Sequence, residues 1–190
     1  MRIILASQSQ RRKELLDLIK IKYDVIPSNV DEAFIEGLTL EEQSKRLAFI
    51  KAKNVFDTTS GDRIIIGSDT LVEKDGKIYG KPKDEQDAKR MLEELRNGKH
   101  NVITSLAVLA EKDGKYFEYV DYDIAKVYFK NIEEKEILEW IESGEALDKA
   151  GAYAIQSSFA VFIDRIEGNY NTVMGLPIHK LYDVLKYLMP

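Results

Sequence analysis

The segment from Arg2 to Leu16, RIILASQSQRRKELL, constrains the fold of this chain more than any other stretch. Ile3, Ile4 and Leu5 are consecutive branched apolar residues, which suit a short strand covered on both faces. Ala6 to Gln10 is a polar turn, with Ser9 or Gln10 where a helix N-cap belongs. From Arg11 onward the apolar residues Leu15, Leu16, Leu18 and Ile19 return at helical spacing. The segment therefore reads as strand, hydroxyl-rich turn, helix. Arg11, Arg12 and Lys13 fall in the first helical turn, where cations oppose the macrodipole by a few tenths of a kcal/mol. Backbone N–H groups, two serines and three cations converging on one point suit a bound anion. A solvated basic helix start is the other reading, and this segment alone does not choose between them.

Charge decides what kind of anion is worth considering. The chain has 190 residues and a net charge of −5, which disfavours a general binder of nucleic acid or of acidic membranes. A basic cluster inside an acidic protein suits a small, highly charged anion better. No cysteine occurs and only His100 and His179 are present, so disulfides, a thiol nucleophile and a Cys- or His-rich metal site are excluded. Nothing resembles a signal peptide, and no apolar run approaches the roughly 20 residues needed to span a bilayer. The expected compartment is the cytoplasm. Abundant Lys, Glu and Ile without Cys is no more than a hint of a heat-adapted source.

Along the chain, Tyr23 to Pro27 alternates like a strand, and Ser28 to Ala33 is an acidic turn with Asp31 and Glu32. Thr39-Leu-Glu-Glu42 is a capping-box pattern opening a helix to about Phe56, with Leu40, Leu47, Ile50 and Val55 inward and Lys45, Arg46, Lys51 and Lys53 decorating it. Arg63 to Ile66 reads as a second buried strand that breaks at Gly67-Ser68-Asp69-Thr70 before Leu71 and Val72 resume. Asp75-Gly76 marks a hairpin turn, and the five letters Glu-Lys-Asp-Gly-Lys recur at Glu111 to Lys115. Gly80-Lys81-Pro82 leads into a helix from about Asp84 to Arg96, ended by Asn97-Gly98. Asn101–Glu111 and Lys115–Phe129 read as two long antiparallel strands alternating apolar with polar positions. Glu133 to Ser143 is an amphipathic helix closed by Gly144. Asp148 to Gln156 is an irregular loop entering a strand, Phe159 to Ile166 is a further strand, and Asn169 to Pro177 is a Gly/Asn loop before a last helix, Ile178 to Leu188. Helices alternate with strands early and a β-hairpin fills the middle, so the expected class is α/β with a mixed sheet. No linker separates two domains.

Four polar clusters interrupt the apolar elements: Ser7–Arg12, Asp31–Glu32, Gly67–Thr70 and Asp148–Gln156. A carboxylate such as Asp69 at the carboxyl end of a buried strand stands where open α/β sheets place their ligands. Capping a turn is the commoner meaning of such an aspartate in isolation. Glu32 and Lys51 have the look of ordinary surface charges. Lys81, held between Gly80 and Pro82, is an odd choice for a merely solubilising lysine.

Together these residues form a recognisable set. The blocks Leu5–Leu16, Ile66–Val72, Gly80–Pro82, His100–Thr104, Asp148–Gln156 and Gly168–Pro177, in one order over residues 3–178, resemble the Maf family of nucleoside triphosphate pyrophosphatases, first linked to septum formation. The resemblance implies an ITPase-like/Maf-like α/β fold: a mixed central sheet flanked by helices, with a long antiparallel hairpin, as a single domain over 1–190 with two lobes around a central cleft. It implies hydrolysis of dTTP or UTP, and of modified pyrimidine triphosphates, to the monophosphate and pyrophosphate. Asp69 would be the general base or metal-anchoring carboxylate, with Glu32 the second candidate ligand of Mg²⁺ or Mn²⁺. Ser7, Ser9, Arg12, Lys51 and Lys81 would bind the phosphates; of the adjacent arginines, the family uses Arg12 rather than Arg11. Arg12, Thr70 and Gln156 are the specificity positions. The Gln156 amide matches uracil or thymine by donating to O4 and accepting from N3–H, although an amide that flips also suits cytosine. Family members usually carry proline at the position of Gln10 and glycine at that of Ser157, departures expected to loosen the phosphate turn and narrow the base pocket.

Two other classes compete. A nucleotide-sensing regulator of cell division would bind a triphosphate without turnover, but Asp69, Lys51 and Lys81 together favour turnover. A nucleic-acid binder using Arg11–Lys13 conflicts with the acidic net charge. The expected partner is a small nucleoside triphosphate, with no nucleic acid and no membrane, and the hairpin at 99–129 offers a surface for a homodimer.

Overall fold

The computed structural model describes residues 1–189. In chain order its elements are β1 (Arg2–Leu5), α1 (Gln10–Leu18), β2 (Asp24–Val25), α2 (Leu40–Asp57), β3 (Arg63–Lys74), β4 (Lys77–Tyr79), α3 (Glu85–Leu95), β5 (Lys99–Lys112), β6 (Lys115–Phe129), α4 (Glu134–Glu142), β7 (Ile163–Glu167), α5 (Tyr170–Met174) and α6 (Ile178–Leu188). One sheet runs β2-β1-β3-β5-β6-β7, with β4 paired to β3. β1 is parallel to both β2 and β3, whereas β4 and β7 pair antiparallel to β3 and β6. The expected mixed α/β fold, with helices flanking a central mixed sheet and a long hairpin, is the one observed. No helix among the described residues is long and apolar enough to cross a membrane.

The Asp-Gly turns behave as their chemistry requires. Asp75 and Gly76 have φ of 54° and 79°, and Asp113 and Gly114 have 51° and 73°, the paired positive φ angles of a two-residue type I′ connection. Thr39 and Glu42 form both halves of the capping box on α2, and Asp84 caps α3 by accepting from the Asp87 N–H at 2.8 Å.

Contact density divides the chain into two compact units: Met1–Asp69 with Thr104–Asp123 and the segment from Gly175, and Thr70–Ile103 with Ile124–Met174. In the first, Ala48, Ala52 and Val55 of α2 pack on Ile4, Ile65, Ala107 and Leu109. This approach explains why β3 does not break at Gly67–Thr70 as its composition suggests. A Cβ on Gly67 would stand 2.3 Å from the Ala48 carbonyl oxygen and 2.8 Å from the Ala52 Cβ. Gly67 is therefore glycine to admit α2, not to make a turn. Ser68 is fully buried, with its hydroxyl 2.8 Å from the Ser105 carbonyl and 2.9 Å from that of Gly175. Those acceptors let a polar side chain occupy a strand interior.

α2 also differs from its expected face. Leu40 and Ile50 are only half-buried, and the inward stripe is Gln43, Ser44, Leu47, Ala48, Lys51, Ala52 and Val55. Lys51 thus belongs to the buried face and does not decorate the surface. β5 is buried almost continuously from Val102 to Ala110, without the alternation expected of a one-faced strand, because a strand interior to the sheet is covered on both faces. Of the strand expected at Tyr23–Pro27, only Asp24 and Val25 pair.

The second unit departs most from expectation. Asp148–Gln156 enters no strand: residues 150–152 form a 3₁₀ turn in which Gly151 and Ala152 have φ of 70° and 62°. Trp140 Nε1 donates to the Ala152 carbonyl at 2.8 Å and helps hold this left-handed pair. Ser158–Phe162 is a second 3₁₀ turn, so the strand expected from Phe159 begins only at Ile163. Phe159 faces Phe129, Trp140, Tyr153 and Phe162, and this aromatic packing outweighs its β-propensity. The expected loop at 169–177 contains the short helix α5.

His100 lies in this same core, 2% exposed, edge-on to Phe129 and Tyr153, with Nε2 2.8 Å from the Tyr153 hydroxyl. Burial, reinforced by Lys74, lowers its pKa from 6.5 to about 3. The unfolded chain takes up this proton below about pH 6.5 while the folded chain stays neutral, so stability falls as pH drops from 6.5 towards 3. The slope from this residue approaches about 1.4 kcal/mol per pH unit. Urea unfolding at pH 7 and pH 5 should show His100→Gln losing about 2 kcal/mol less than the native chain. Equal losses in the two proteins would contradict the assignment.

Candidate active site

β1 ends where the Ala6 N–H donates to the Ile66 carbonyl at 2.8 Å, and the chain turns into α1. Ser9 is the N-cap residue, but its side chain makes no capping bond. Ser7 holds the turn: its Oγ accepts from the Ser9 N–H at 3.2 Å and from Arg12 Nη1 at 3.0 Å. Arg12 Nε donates to the Gly175 carbonyl at 2.8 Å, the same oxygen that Ser68 Oγ approaches. Gly175 has a φ of 106°, a backbone that side chains rarely tolerate. Of the adjacent arginines, Arg12 is thus the one turned into the site. Withdrawal from water lowers its pKa, Asp69 pulls it back up, and Arg11 and Glu32 act in opposite senses more weakly. A guanidinium remains charged under all these influences.

The centre of the site is an ion pair. Lys51 Nζ donates to Asp69 Oδ1 at 2.7 Å and contacts Glu32 Oε2 at 2.9 Å. Lys51 and Asp69 are 7% and 5% exposed, so their attraction acts with little screening, and removing either would strand a buried charge. The Glu32 side chain is 59% exposed, and its contribution is correspondingly smaller. Asp69 Oδ2 is buried with no hydrogen-bond partner. Asp69 is therefore not a turn cap and Lys51 is not a surface charge, whereas Glu32 is a surface acid that pairs with Lys51. The structure brings Ser7, Ser9, Arg12, Glu32, Lys51 and Asp69 into one unit.

Gln43 is a residue that the composition of α2 hid. Its Oε1 accepts from the Ile35 N–H at 3.2 Å, and its Nε2 lies 3.4 Å from the Ala33 carbonyl, to which Arg46 Nη1 also donates at 3.1 Å. With Asp31 Oδ1 accepting from the Ala33 N–H at 3.0 Å, these bonds fix the loop that carries Glu32. The available signal was position: Gln43 and Ser44 precede Leu47 by four and three residues, on the face that also carries Lys51.

Thr70, Lys81, Gln156 and Ser157 lie in the second unit. Thr70 follows Asp69 in β3 and is half-buried. Lys81 is exposed on the bend between β4 and α3, which the Gly151 N–H ties down by donating to the Gly80 carbonyl at 3.1 Å. Gln156 is exposed in the turn before the second 3₁₀ segment. Ser157, where family members usually have glycine, has a φ of −106° and needs no glycine. Its hydroxyl accepts from the Phe159 N–H at 3.2 Å and donates to the Ala154 carbonyl at 2.9 Å, so it caps the turn. Gln10, where proline is usual, is the exposed first residue of α1. Proline is favoured there for its φ alone, and Ser7 supplies the turn's bonds in its place.

Among the described residues no group of three or more His, Asp or Glu is placed to hold a metal ion. The two carboxylates nevertheless fit a cation completed by substrate. Glu32 Oε2 and Asp69 Oδ1 converge on one positive charge, and Asp69 Oδ2 has lone pairs to spare. Mg²⁺ is commonly held by one or two carboxylates plus substrate phosphates.

A family model described as Maf-like protein matches residues 2–188. The dTTP/UTP pyrophosphatase of Alkaliphilus metalliredigens (strain QYMF) is 46% identical over 184 residues, covering 97% of this chain and 94% of that protein. The dTTP/UTP pyrophosphatase of Aquifex aeolicus (strain VF5) is 44% identical over 188 residues, covering 99% and 96%. Among solved structures, the Staphylococcus aureus Ham1 protein is similar in fold, with a TM-score of 0.50 at 17% identity, covering 99% of this chain and all of that one. With residues 2–188 matched by the family model, this chain belongs to the Maf family.

Proposed function

We propose that this Maf-family chain is a nucleoside triphosphate pyrophosphatase that hydrolyses dTTP and UTP to the monophosphate and pyrophosphate. The observation that carries the reading is the buried Lys51–Asp69 pair with an unpartnered Asp69 Oδ2, set in the same unit as Arg12. The substrate class follows the names of the two relatives. A chain that only sensed nucleotide would gain nothing from a buried carboxylate oxygen left without a partner, since such a group costs about 1–3 kcal/mol.

Phosphoryl chemistry depends on positioning and charge neutralisation rather than on covalent steps by the protein. Asp69 Oδ2 is the atom available to take a proton from the attacking water, because Oδ1 is engaged by Lys51. As the bond between the α-phosphorus and the bridging oxygen breaks, negative charge grows on the departing pyrophosphate. Arg12, held in place by Ser7 and Gly175, supplies fixed positive charge against it, and Lys81 adds a further cation. A divalent cation, Mg²⁺ or Mn²⁺, held by Glu32 and Asp69 would neutralise phosphate oxygens. Thr70 and Gln156 set base preference, Gln156 by offering one donor and one acceptor to the pyrimidine edge.

Asp69→Asn should lower kcat by roughly a hundredfold or more, in line with loss of a general base or metal-anchoring group. Arg12→Ala should raise KM for the triphosphate and also lower kcat, because Arg12 meets charge that develops on the leaving group. A kcat within about tenfold of native for a folded Asp69→Asn protein would make Asp69 structural.

The test of the whole reading is pyrophosphate release from dTTP, UTP, CTP and GTP, with and without excess chelator. We expect dTTP and UTP to lead, pyrophosphate to be the product and chelator to stop turnover. Each unmet buried hydrogen bond costs about 1–3 kcal/mol, so rejection of GTP by about ten- to a few-hundredfold is expected. Gln156→Glu should depress dTTP turnover, since a carboxylate cannot donate to O4. Equal kcat/KM for GTP and dTTP, or orthophosphate as the sole product, would overturn the assignment.

A further inference from the structure

Two carboxylates share one lysine at the centre of the first unit, and the sharing has a consequence for any cation that binds there. Lys51 Nζ lies 2.7 Å from Asp69 Oδ1 and 2.9 Å from Glu32 Oε2. A hard divalent ion held by the same two oxygens would bind them at about 2.0–2.1 Å. It would therefore have to enter the space the ammonium fills. We propose that Lys51 is an internal place-holder for the divalent cation: the ion and the Lys51–carboxylate pairs exclude one another, and arrival of the ion turns Lys51 from the carboxylates towards the phosphates. The proposal rests on the reading of Glu32 and Asp69 as cation ligands.

Three features of the site support the exchange. The first is charge. Glu32 and Asp69 bring two negative charges, and Lys51 balances one of them while Arg12 lies within electrostatic reach of both. Adding two positive charges while Lys51 stayed would put it beside a surplus of cations. The displaced ammonium then needs an anion, which a triphosphate provides. The second is freedom of movement. Lysine carries a compact charge on a flexible four-carbon stem and has no fork geometry to surrender. Lys51 itself is buried on the inward face of α2, but Glu32 is mostly exposed on a loop, so their contact is open to solvent at the Glu32 end. The third is Asp69 Oδ2, which is buried and unpartnered. Lysine satisfies only Oδ1 of that carboxylate, so an ion that takes the place of Lys51 on Oδ1 still leaves Oδ2 for the attacking water.

Without metal, Lys51 keeps the buried carboxylate from being an isolated charge, which would be strongly destabilising. With metal, it becomes a phosphate ligand. Cation and triphosphate then favour one another's binding, and that coupling is reciprocal.

The test is Mn²⁺ binding in the absence of nucleotide, followed by the loss of the free-ion electron paramagnetic resonance signal. Native protein is compared with Lys51→Met and with Lys51→Met/Asp69→Asn, and thermal melting establishes that each is folded. Lys51→Gln replaces Lys51→Met if the latter does not fold. Removing the competing ammonium should tighten Mn²⁺ binding by about tenfold, within the range usual for coupled sites. The added Asp69→Asn change should abolish that gain. Binding to Lys51→Met that is no tighter than to native protein would overturn the proposal. So would a gain that survives loss of the Asp69 carboxylate. Pyrophosphate release is measured separately on the native chain, so a failed activity assay with the Mn²⁺ pattern intact would count against the enzymatic reading and leave the exchange standing.

Discussion

The arrangement of the first unit depends on one buried ion pair, Lys51 with Asp69. A carboxylate and an ammonium withdrawn from water are tolerable only together, and losing either typically costs about 3–5 kcal/mol. The surrounding sequence is spent on making the pair possible. Ala48 and Ala52 bring α2 close to the sheet, and Gly67 removes the Cβ that would meet the Ala48 carbonyl. Lys51 on the helix and Asp69 on the strand then meet through the core. Glu32 joins from a loop fixed by Gln43 and Arg46, and Arg12 is held by Ser7 and the Gly175 carbonyl.

A function follows from how incompletely the pair is satisfied. Asp69 retains one oxygen without a hydrogen bond, and folded proteins rarely leave such an atom buried without a use for it. Under the function proposed for this Maf-family chain, that use is proton abstraction or cation binding beside a triphosphate. On that proposal, the same interaction that stabilises the folded state also supplies the reactive atom. Lys51 belongs to both roles, which is why its contacts say more about mechanism than its charge does.

Much of the fold was legible because local chemistry dictated it. The Asp-Gly turns need positive φ, Thr39 with Glu42 forms a reciprocal cap, and the run of Ile3 to Leu5 admits few alternatives to a covered strand. The site was legible only as a set of residues, through likeness to a family. Their physical state was not. Lys51 looked like a surface lysine because single-residue hydrophobicity outweighed its spacing of four from Leu47 and Val55. Gly67–Thr70 looked like a turn because the composition of a close-packed crossing point is also the composition of a turn. The segment from Ala150 to Phe162 was misjudged because aromatic packing around Phe159, which involves residues far apart in sequence, overrode its local preference for strand.

A double-mutant cycle on stability tests the central claim most directly. Urea unfolding of native protein, Lys51→Met, Asp69→Asn and the double variant gives the coupling between the two side chains. If the pair organises the site, each single change should cost about 3 kcal/mol or more, and the double variant should cost less than their sum by at least about 1 kcal/mol. Effects that add to within about 0.5 kcal/mol would mean that the two side chains are energetically independent, and would contradict the account.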